Sequence, residues 1–304
     1  MVNEITANIF DIQRFCLFDG DGIRTTVFFK GCPLRCAWCC NPESQSFTPQ
    51  LLIKPWDGCA DCRRCIDKCE RGVLSLKDGR IVADEEKCGH CAECESLCAF
   101  DKIKVAGKKY TVDDVMEIIL KDKDYYADSN GGVTLSGGEV TAHADFVLAL
   151  IDRLEKENIS VMIETCGYAD KDSFAKIAAR VKRVYFDIKL IDSAQHEKYT
   201  GKGNELILEN LKQAADLTET FVRVPLIPDV NMNAEFYRAL GELAEALPVK
   251  GVELLPYHRL GVSKYAELGK DYALSDLRPA PRAENTDALA KVQKYTSKPV
   301  GFRQ

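Results

Sequence analysis

Gly31-Cys32-Pro33-Leu34-Arg35-Cys36-Ala37-Trp38-Cys39-Cys40 lies just past the β-rich run Thr25 to Phe29. Cys32, Cys36 and Cys39 stand three and then two residues apart, a spacing that brings three thiolates to one iron-sulfur cube. Such a cube normally takes four cysteines, so the missing fourth marks an iron with an open coordination position, where a small molecule can chelate and react. On this reading the cluster takes part in the chemistry.

Outward from the triplet come two further clusters. Cys59, Cys62, Cys65 and Cys69 have two, two and three intervening residues, and Cys88, Cys91, Cys94 and Cys98 repeat the pattern. This is the bacterial ferredoxin run written twice, and in such pairs the fourth cysteine serves the other cluster. The expected ligand sets are Cys59, Cys62, Cys65 and Cys98 on one cube, and Cys88, Cys91, Cys94 and Cys69 on the second. Glu70 and Ala99 stand where a proline usually follows the fourth cysteine. Paired Cys-x-x-Cys motifs also build zinc sites, but the third cysteine of each run and the duplication favour iron-sulfur.

The chain has 304 residues, a net charge of −6 and fourteen cysteines, of which only Cys16, Cys40 and Cys166 fall outside the three clusters. That many cysteines in a chain without an export signal points to metal binding in a reduced compartment, not to disulfides. Met1 to Asp11 lack the apolar stretch of a signal peptide. No apolar run approaches the ~20 residues that span a bilayer, and no basic block suggests nucleic acid or an anionic membrane. A cytoplasmic protein with neither partner is expected.

Outside residues 55–104, short β-rich runs alternate with stretches of helical period. The strands read as Thr25 to Phe29, Gly132 to Leu135, Ser160 to Glu164, Arg183 to Asp187, Thr218 to Val224 and Gly251 to Leu255. The helices read as Val112 to Leu120, Asp145 to Lys156, Asp172 to Arg180, Leu206 to Ala215 and Ala234 to Ala246. Six units fall short of eight, so the expected fold class is α/β, a partial (β/α)6 TIM-like barrel over residues 1–54 and 105–304, with a bacterial-ferredoxin-like two-cluster insert at 55–104. A doubly wound sheet is the alternative. In parallel barrels chemistry gathers at the carboxyl ends of strands. Here those ends carry the triplet, Ser136-Gly137-Gly138-Glu139, Glu164-Thr165-Cys166-Gly167, Asp187-Ile188-Lys189, Arg223, and Pro256-Tyr257-His258.

With these residues in view, the chain resembles a radical SAM enzyme, and more narrowly a glycyl radical enzyme activating enzyme of the pyruvate formate-lyase-activating type in its long form. The triplet carries the superfamily resemblance. Asp19-Gly20-Asp21-Gly22-Ile23-Arg24, Trp38-Cys39-Cys40-Asn41-Pro42-Glu43 and Leu254-Leu255-Pro256-Tyr257-His258 carry the narrower one. Asp21 and Val140 stand where the family often has proline. The look is nearest to activases of choline trimethylamine-lyase and glycerol dehydratase.

The resemblance implies three 4Fe-4S clusters, two of them auxiliary, and S-adenosylmethionine (SAM) cleaved reductively to methionine and a 5′-deoxyadenosyl radical. That radical abstracts a hydrogen atom from a glycine of a partner glycyl radical enzyme, with flavodoxin or ferredoxin as reductant. It also implies that Gly137 and Gly138 let backbone approach the methionine moiety, that Glu139 accepts from its ammonium group, and that Trp38 meets adenine. Asp187 and Lys189 would lie near the SAM carboxylate and ribose, with Arg223 and His258 around the same cofactor and Asp19 close to the substrate glycine. Each has a plainer reading: a tight turn for the glycines, a solvated ion pair for Asp187 and Lys189, a structural histidine at 258. Cys40, beside a ligand, is expected to point away. Two other functions remain open at this level, a radical SAM enzyme for a small molecule or peptide, and a ferredoxin-like electron carrier.

Overall fold

The computed structural model of the chain describes residues 4–302; Met1 to Asn3 of the amino-terminal stretch, with Arg303 and Gln304, lie outside it. In chain order the strands are β1 (Thr6–Cys16), β2 (Arg24–Phe29), β3 (Gln50–Ile53), β4 (Leu74–Lys77), β5 (Arg80–Ala83), β6 (Ile103–Ala106), β7 (Lys108–Thr111), β8 (Gly132–Gly137), β9 (Ser160–Thr165), β10 (Arg183–Asp187), β11 (Glu219–Leu226), β12 (Gly251–Pro256) and β13 (Val300–Phe302). Nine of them form one sheet in the order β13-β12-β11-β10-β9-β8-β2-β1-β7.

From β2 to β13 every neighbouring pair is parallel, and only β1 runs against its neighbours β2 and β7. The parallel strands follow chain order with no reversal. A doubly wound sheet requires a reversal, so that alternative is excluded, and right-handed crossovers then place the helices on one face. The six strands read from the sequence are adjacent and in order. The structure adds β13 at one edge and β1 with β7 at the other, and these were not read.

Alternation along the strands divides the two faces. Val27, Phe29, Val133, Leu135, Val161, Ile163, Val184, Phe186, Val222, Val224, Val252 and Leu254 are buried in the main core with helix residues such as Phe146, Phe174, Leu211 and Leu240. The intervening positions are polar on several strands: Thr26, Thr134 and Ser136, Glu164, Asp187, Arg223, Glu253. The helices Val112–Ile119, Ala144–Lys156, Lys171–Ala178, Glu205–Leu217 and Ala234–Ala246 start and stop within two residues of the expected limits. Their starts have chemical causes, since Asp170 accepts from the Ser173 N–H at 3.0 Å and Asn233 from that of Phe236 at 2.9 Å.

Between β2 and β7 the chain builds a smaller unit. β3 and β6 pair antiparallel as its stem, β4 and β5 form a hairpin, and the helices between them have four or five residues each. The stem therefore reaches residues 50 and 106, outside the 55–104 read from cysteine spacing. A second core gathers Leu51, Cys59, Cys65, Val73, Leu74, Ile81 and Ile103. Among the described residues no helix is long and apolar enough to cross a membrane.

Candidate cofactor-binding centre

A cleft of about 770 Å³ opens where the polar face of the sheet meets the loops after its strands. Its wall includes Cys32, Cys36, Trp38, Cys39, Gly137, Gly138, Asp187, Lys189, Arg223 and His258, residues spread over more than two hundred positions of sequence. The volume lies within the range that holds cofactor-sized ligands. Ser136, Glu164, Asn41, Pro225 and Tyr257 join them.

The triplet loop is held from several sides. Gly31 N–H donates to the Ser44 carbonyl at 2.7 Å, while the N–H groups of Arg35 and Ala37 donate to the carbonyls of Thr200 and Tyr199 at the end of the helix Ser193–Thr200, at 2.7 and 2.9 Å. The Trp38 ring lies 5.9 Å from that of Tyr199. Tyr265 Oη donates to the Cys39 carbonyl at 3.0 Å, and Lys264 pairs with buried Glu43. Lys30, fully buried, donates to the Glu43 carbonyl and to Gln50 Oε1, which ties the loop to the stem of the insert. Burial pushes the Cys36 thiol up to about 12 and Cys39 well above its ordinary value. Such thiols would load metal with release of protons.

Gly137 and Gly138 are needed for the fold itself. Gly137 has φ +116°, and a Cβ there would meet Phe29 backbone at 2.4 Å; one on Gly138 would meet the Gly31 carbonyl at 2.3 Å. The turn is thereby pressed onto the triplet loop, with Gly138 N–H on the Phe29 carbonyl and Glu139 N–H on that of Gly31, both 2.8 Å.

Glu139 departs from the expected contact. It is fully buried and outside the cleft wall. Its Oε1 accepts from Thr141 N–H (3.0 Å), Thr141 Oγ1 (2.6 Å) and Thr165 Oγ1 (2.6 Å), and its Oε2 accepts from the Cys166 N–H (2.7 Å). With four donors on it, the carboxylate braces the glycine turn against the end of β9 and has little left for an ammonium group. Cys40 departs too, since it lies in the cleft wall. The loop around it is neither strand nor helix, so alternation does not apply. Cys166, buried beside the triplet, interacts with Cys32, which lowers the Cys32 thiol and raises that of Cys166.

Arg223 is buried between Glu164 and Glu253, bonding the first closely and the second at 2.7 Å, and it stacks on the Tyr185 ring at 3.5 Å. Ser136 Oγ donates to the other Glu164 oxygen at 2.6 Å. Burial works against the Arg223 cation, yet the two carboxylates outweigh it and hold the guanidinium above its ordinary value. Lys189 Nζ donates to Asp187 at 3.0 Å; burial opposes its charge, and the Asp187 carboxylate outweighs this, so the ammonium persists. The cleft thus carries a fixed cation beside three thiols. Glu253 has no place among the residues singled out from the sequence, although period-two counting along β12 puts it on the polar face.

In the insert the internal duplication is geometric. Arg63 and Ala92, each following the second cysteine of its run, are left-handed at φ 48° and 62°. Val73 N–H donates to Cys69 Sγ at 3.4 Å, and Lys102 N–H to Cys98 Sγ at 3.2 Å, four residues on in both cases. Burial raises Cys59, Cys65 and Cys88; neighbouring charges add to this, from Cys98 and Cys62 for Cys59, from Cys98 and Cys59 for Cys65, and from Glu85, Cys91 and Cys69 for Cys88. A cavity of about 280 Å³ is lined by Cys69, Cys88, Cys91, Cys94 and Cys65.

Three comparisons bear on this arrangement. The family model for the radical SAM superfamily matches residues 85–240, a stretch that begins after the triplet and inside the insert. A trans-4-hydroxy-L-proline dehydratase activating enzyme of Clostridioides difficile is 38% identical over 288 residues, covering 93% of this chain and 95% of that protein. A choline trimethylamine-lyase activating enzyme of Oleidesulfovibrio alaskensis is also 38% identical, over 300 residues and 96% of both. Among solved structures, a radical SAM methyltransferase from Sphaerobacter thermophilus superposes with a TM-score of 0.55 at 12% identity, over 99% of this chain and 77% of that one. That last likeness is one of fold alone.

Proposed function

The chain belongs to the radical SAM superfamily, among the activating enzymes of glycyl radical enzymes, and from that premise we propose how its residues divide the work. When bound, the cluster and SAM supply the chemistry: reductive cleavage to methionine and a 5′-deoxyadenosyl radical, which takes a hydrogen atom from a glycine of the partner enzyme. Cys32, Cys36 and Cys39 hold the SAM-binding 4Fe-4S cluster. The observation that carries this is the meeting of the three thiols with Lys189 and the Gly137-Gly138 turn in one cleft.

Within the cleft Lys189, kept protonated by Asp187, attracts the SAM carboxylate, and Asp187 retains an oxygen for the ribose. Trp38 supports adenine, His258 stands at the rim, and Arg223 fixes Glu164 and Glu253 in place under the site. The walls exclude water from the radical. Glu139 acts through the glycine turn it braces.

The insert holds two auxiliary 4Fe-4S clusters in a ferredoxin-like domain, Cys59, Cys62, Cys65 and Cys98 on one and Cys88, Cys91, Cys94 and Cys69 on the other. The grouping of thiols described above supports this crossed pairing, and flavodoxin or ferredoxin would feed electrons in a reducing, cytoplasmic setting. Two relatives named for different partner enzymes stand at the same identity, so the partner here is a glycyl radical enzyme of unassigned substrate.

The test uses anaerobically reconstituted protein with dithionite and SAM. The wild type should yield 5′-deoxyadenosine and a glycyl radical doublet by electron paramagnetic resonance in a partner enzyme. Cys32→Ala should retain the iron of the insert and lose all SAM cleavage. Retained cleavage in that variant would refute the assignment of the triplet.

A further inference from the structure

The segment joining β1 to β2 connects the amino end of β10 with the cleft. Asp21 sits at the bottom, its Oδ1 accepting from Arg183 at 2.9 Å and its Oδ2 from Lys182 at 3.3 Å, at the first residues of β10. Arg24, fully buried, donates to the Asp21 carbonyl at 3.3 Å. One step higher, Asp19 accepts from Thr26 Oγ1 through its carboxylate at 2.7 Å and from Thr134 Oγ1 through its carbonyl at 2.6 Å. Gly20 packs so tightly between these anchors that a Cβ on it would meet Met162 Sδ at 2.5 Å.

At the top Phe18 and Asp19 are part of the cleft wall, and the apolar side chains of Leu17 and Phe18 are 63% and 67% exposed. Just before the segment, near the end of β1, Phe15 has φ 59°, a backbone region that a bulky residue rarely adopts, and its ring lies 5.0 Å from that of Tyr125. Arg183 is itself fixed, pairing with Glu219 at 3.1 Å, donating to Tyr185 Oη at 3.0 Å and lying over the Phe221 ring at 5.1 Å. The segment is therefore anchored at both ends and offers an apolar surface where the cleft opens.

Hydrogen transfer from a partner's backbone needs contact, so that backbone must enter the same cleft past Leu17 and Phe18. We propose that Asp21 and Arg183 are positioning residues: their ion pair sets the height of Leu17 to Asp19, which seat the glycine-bearing loop of the partner, a small-residue backbone with no charge to match. This rests on the activase reading. Neither residue lines the cleft, so SAM cleavage in the absence of partner does not depend on the pair, while its coupling to glycyl radical formation does. Asp21 thus does with charge what proline would do by restricting the backbone.

The experiment compares wild type, Asp21→Asn and Asp21→Glu as reconstituted holoenzymes, using trans-4-hydroxy-L-proline dehydratase and choline trimethylamine-lyase as probes. It reads 5′-deoxyadenosine formed per glycyl radical spin, the partner KM, and 5′-deoxyadenosine formation without partner. A partly exposed ion pair contributes up to about 1 kcal/mol. Asp21→Asn should therefore raise the ratio and the KM about fivefold, about 1 kcal/mol at 1.36 kcal/mol per decade, with partner-free cleavage unchanged and Asp21→Glu restoring most of the coupling. An unchanged ratio in Asp21→Asn, or partner-free cleavage falling in step with the radical, overturns the proposal. Wild type that cleaves SAM and leaves every such enzyme radical-free overturns the activase reading itself, and this inference with it.

Discussion

The large-sheet domain and the insert use cysteine differently. The main core is aliphatic and aromatic, drawn from strands and helices alike, with Cys166 its one buried cysteine, and Cys32 and Cys36 only touch its edge. The insert core has seven buried residues, of which Cys59 and Cys65 are two, while Cys69, Cys88 and Cys94 pack against it. A unit of fewer than about 60 residues buries too little apolar surface to be comfortably stable alone. On the proposed function, the large sheet presents the triplet thiols to a metal, whereas in the proposed two-cluster insert the metal completes the fold.

Removing iron should therefore break the comparison most sharply. After anaerobic chelation, hydrogen exchange across residues 55–104 should lose its protection, because metal-binding free energy there is folding free energy. Amides of β8 to β11 should stay protected. An insert that keeps its protection without iron would mean that its aliphatic residues suffice and the thiols are incidental to its stability.

A smaller effect sharpens the large-sheet side. Arg223→Met removes the cation between Glu164 and Glu253 and leaves two partly buried carboxylates facing each other. Breaking a buried pair from one side costs about 3–5 kcal/mol, which thermal unfolding of the large-sheet domain should report, with the insert's iron content unchanged. A variant as stable as wild type would show that the carboxylates find water and that Arg223 does not organise the cleft floor.

Much of this was legible because the informative residues obey short-range rules. The six parallel strands carry apolar side chains at alternate positions, so they could be read singly, and the polar residues at their carboxyl ends stood out against that pattern. β1 was not read because only Ala7 and Ile9 along its eleven residues are buried, which leaves almost no alternation. β7 is Lys108-Lys109-Tyr110-Thr111, and β13 has three residues; each is held by pairing with a neighbour, which no local pattern announces.

The site divides along the same line. Cysteine spacing is a local constraint, and it placed the triplet. The true partners of Glu139 are Thr141, Thr165 and Cys166, from two segments that meet only when β8 and β9 pair, so the motif alone suggested a ligand contact where the fold has a brace. The anchors of the triplet loop, Tyr199, Tyr265 and Lys264, come from helices with no cysteine-like signature. The Asp21 to Arg183 pair joins positions more than 160 residues apart.

The claim beneath all of this is that one iron at the triplet is left for SAM, although two more thiols, Cys40 and Cys166, lie in the same cleft. Electron-nuclear double resonance on the reduced protein, loaded with SAM labelled at the amino nitrogen and the carboxylate oxygens, tests it directly. The account predicts hyperfine coupling from both labels to the triplet cluster, undiminished in Cys40→Ala and Cys166→Ala. No coupling from either label, with a fourth cysteine sulfur on that cluster, would contradict it.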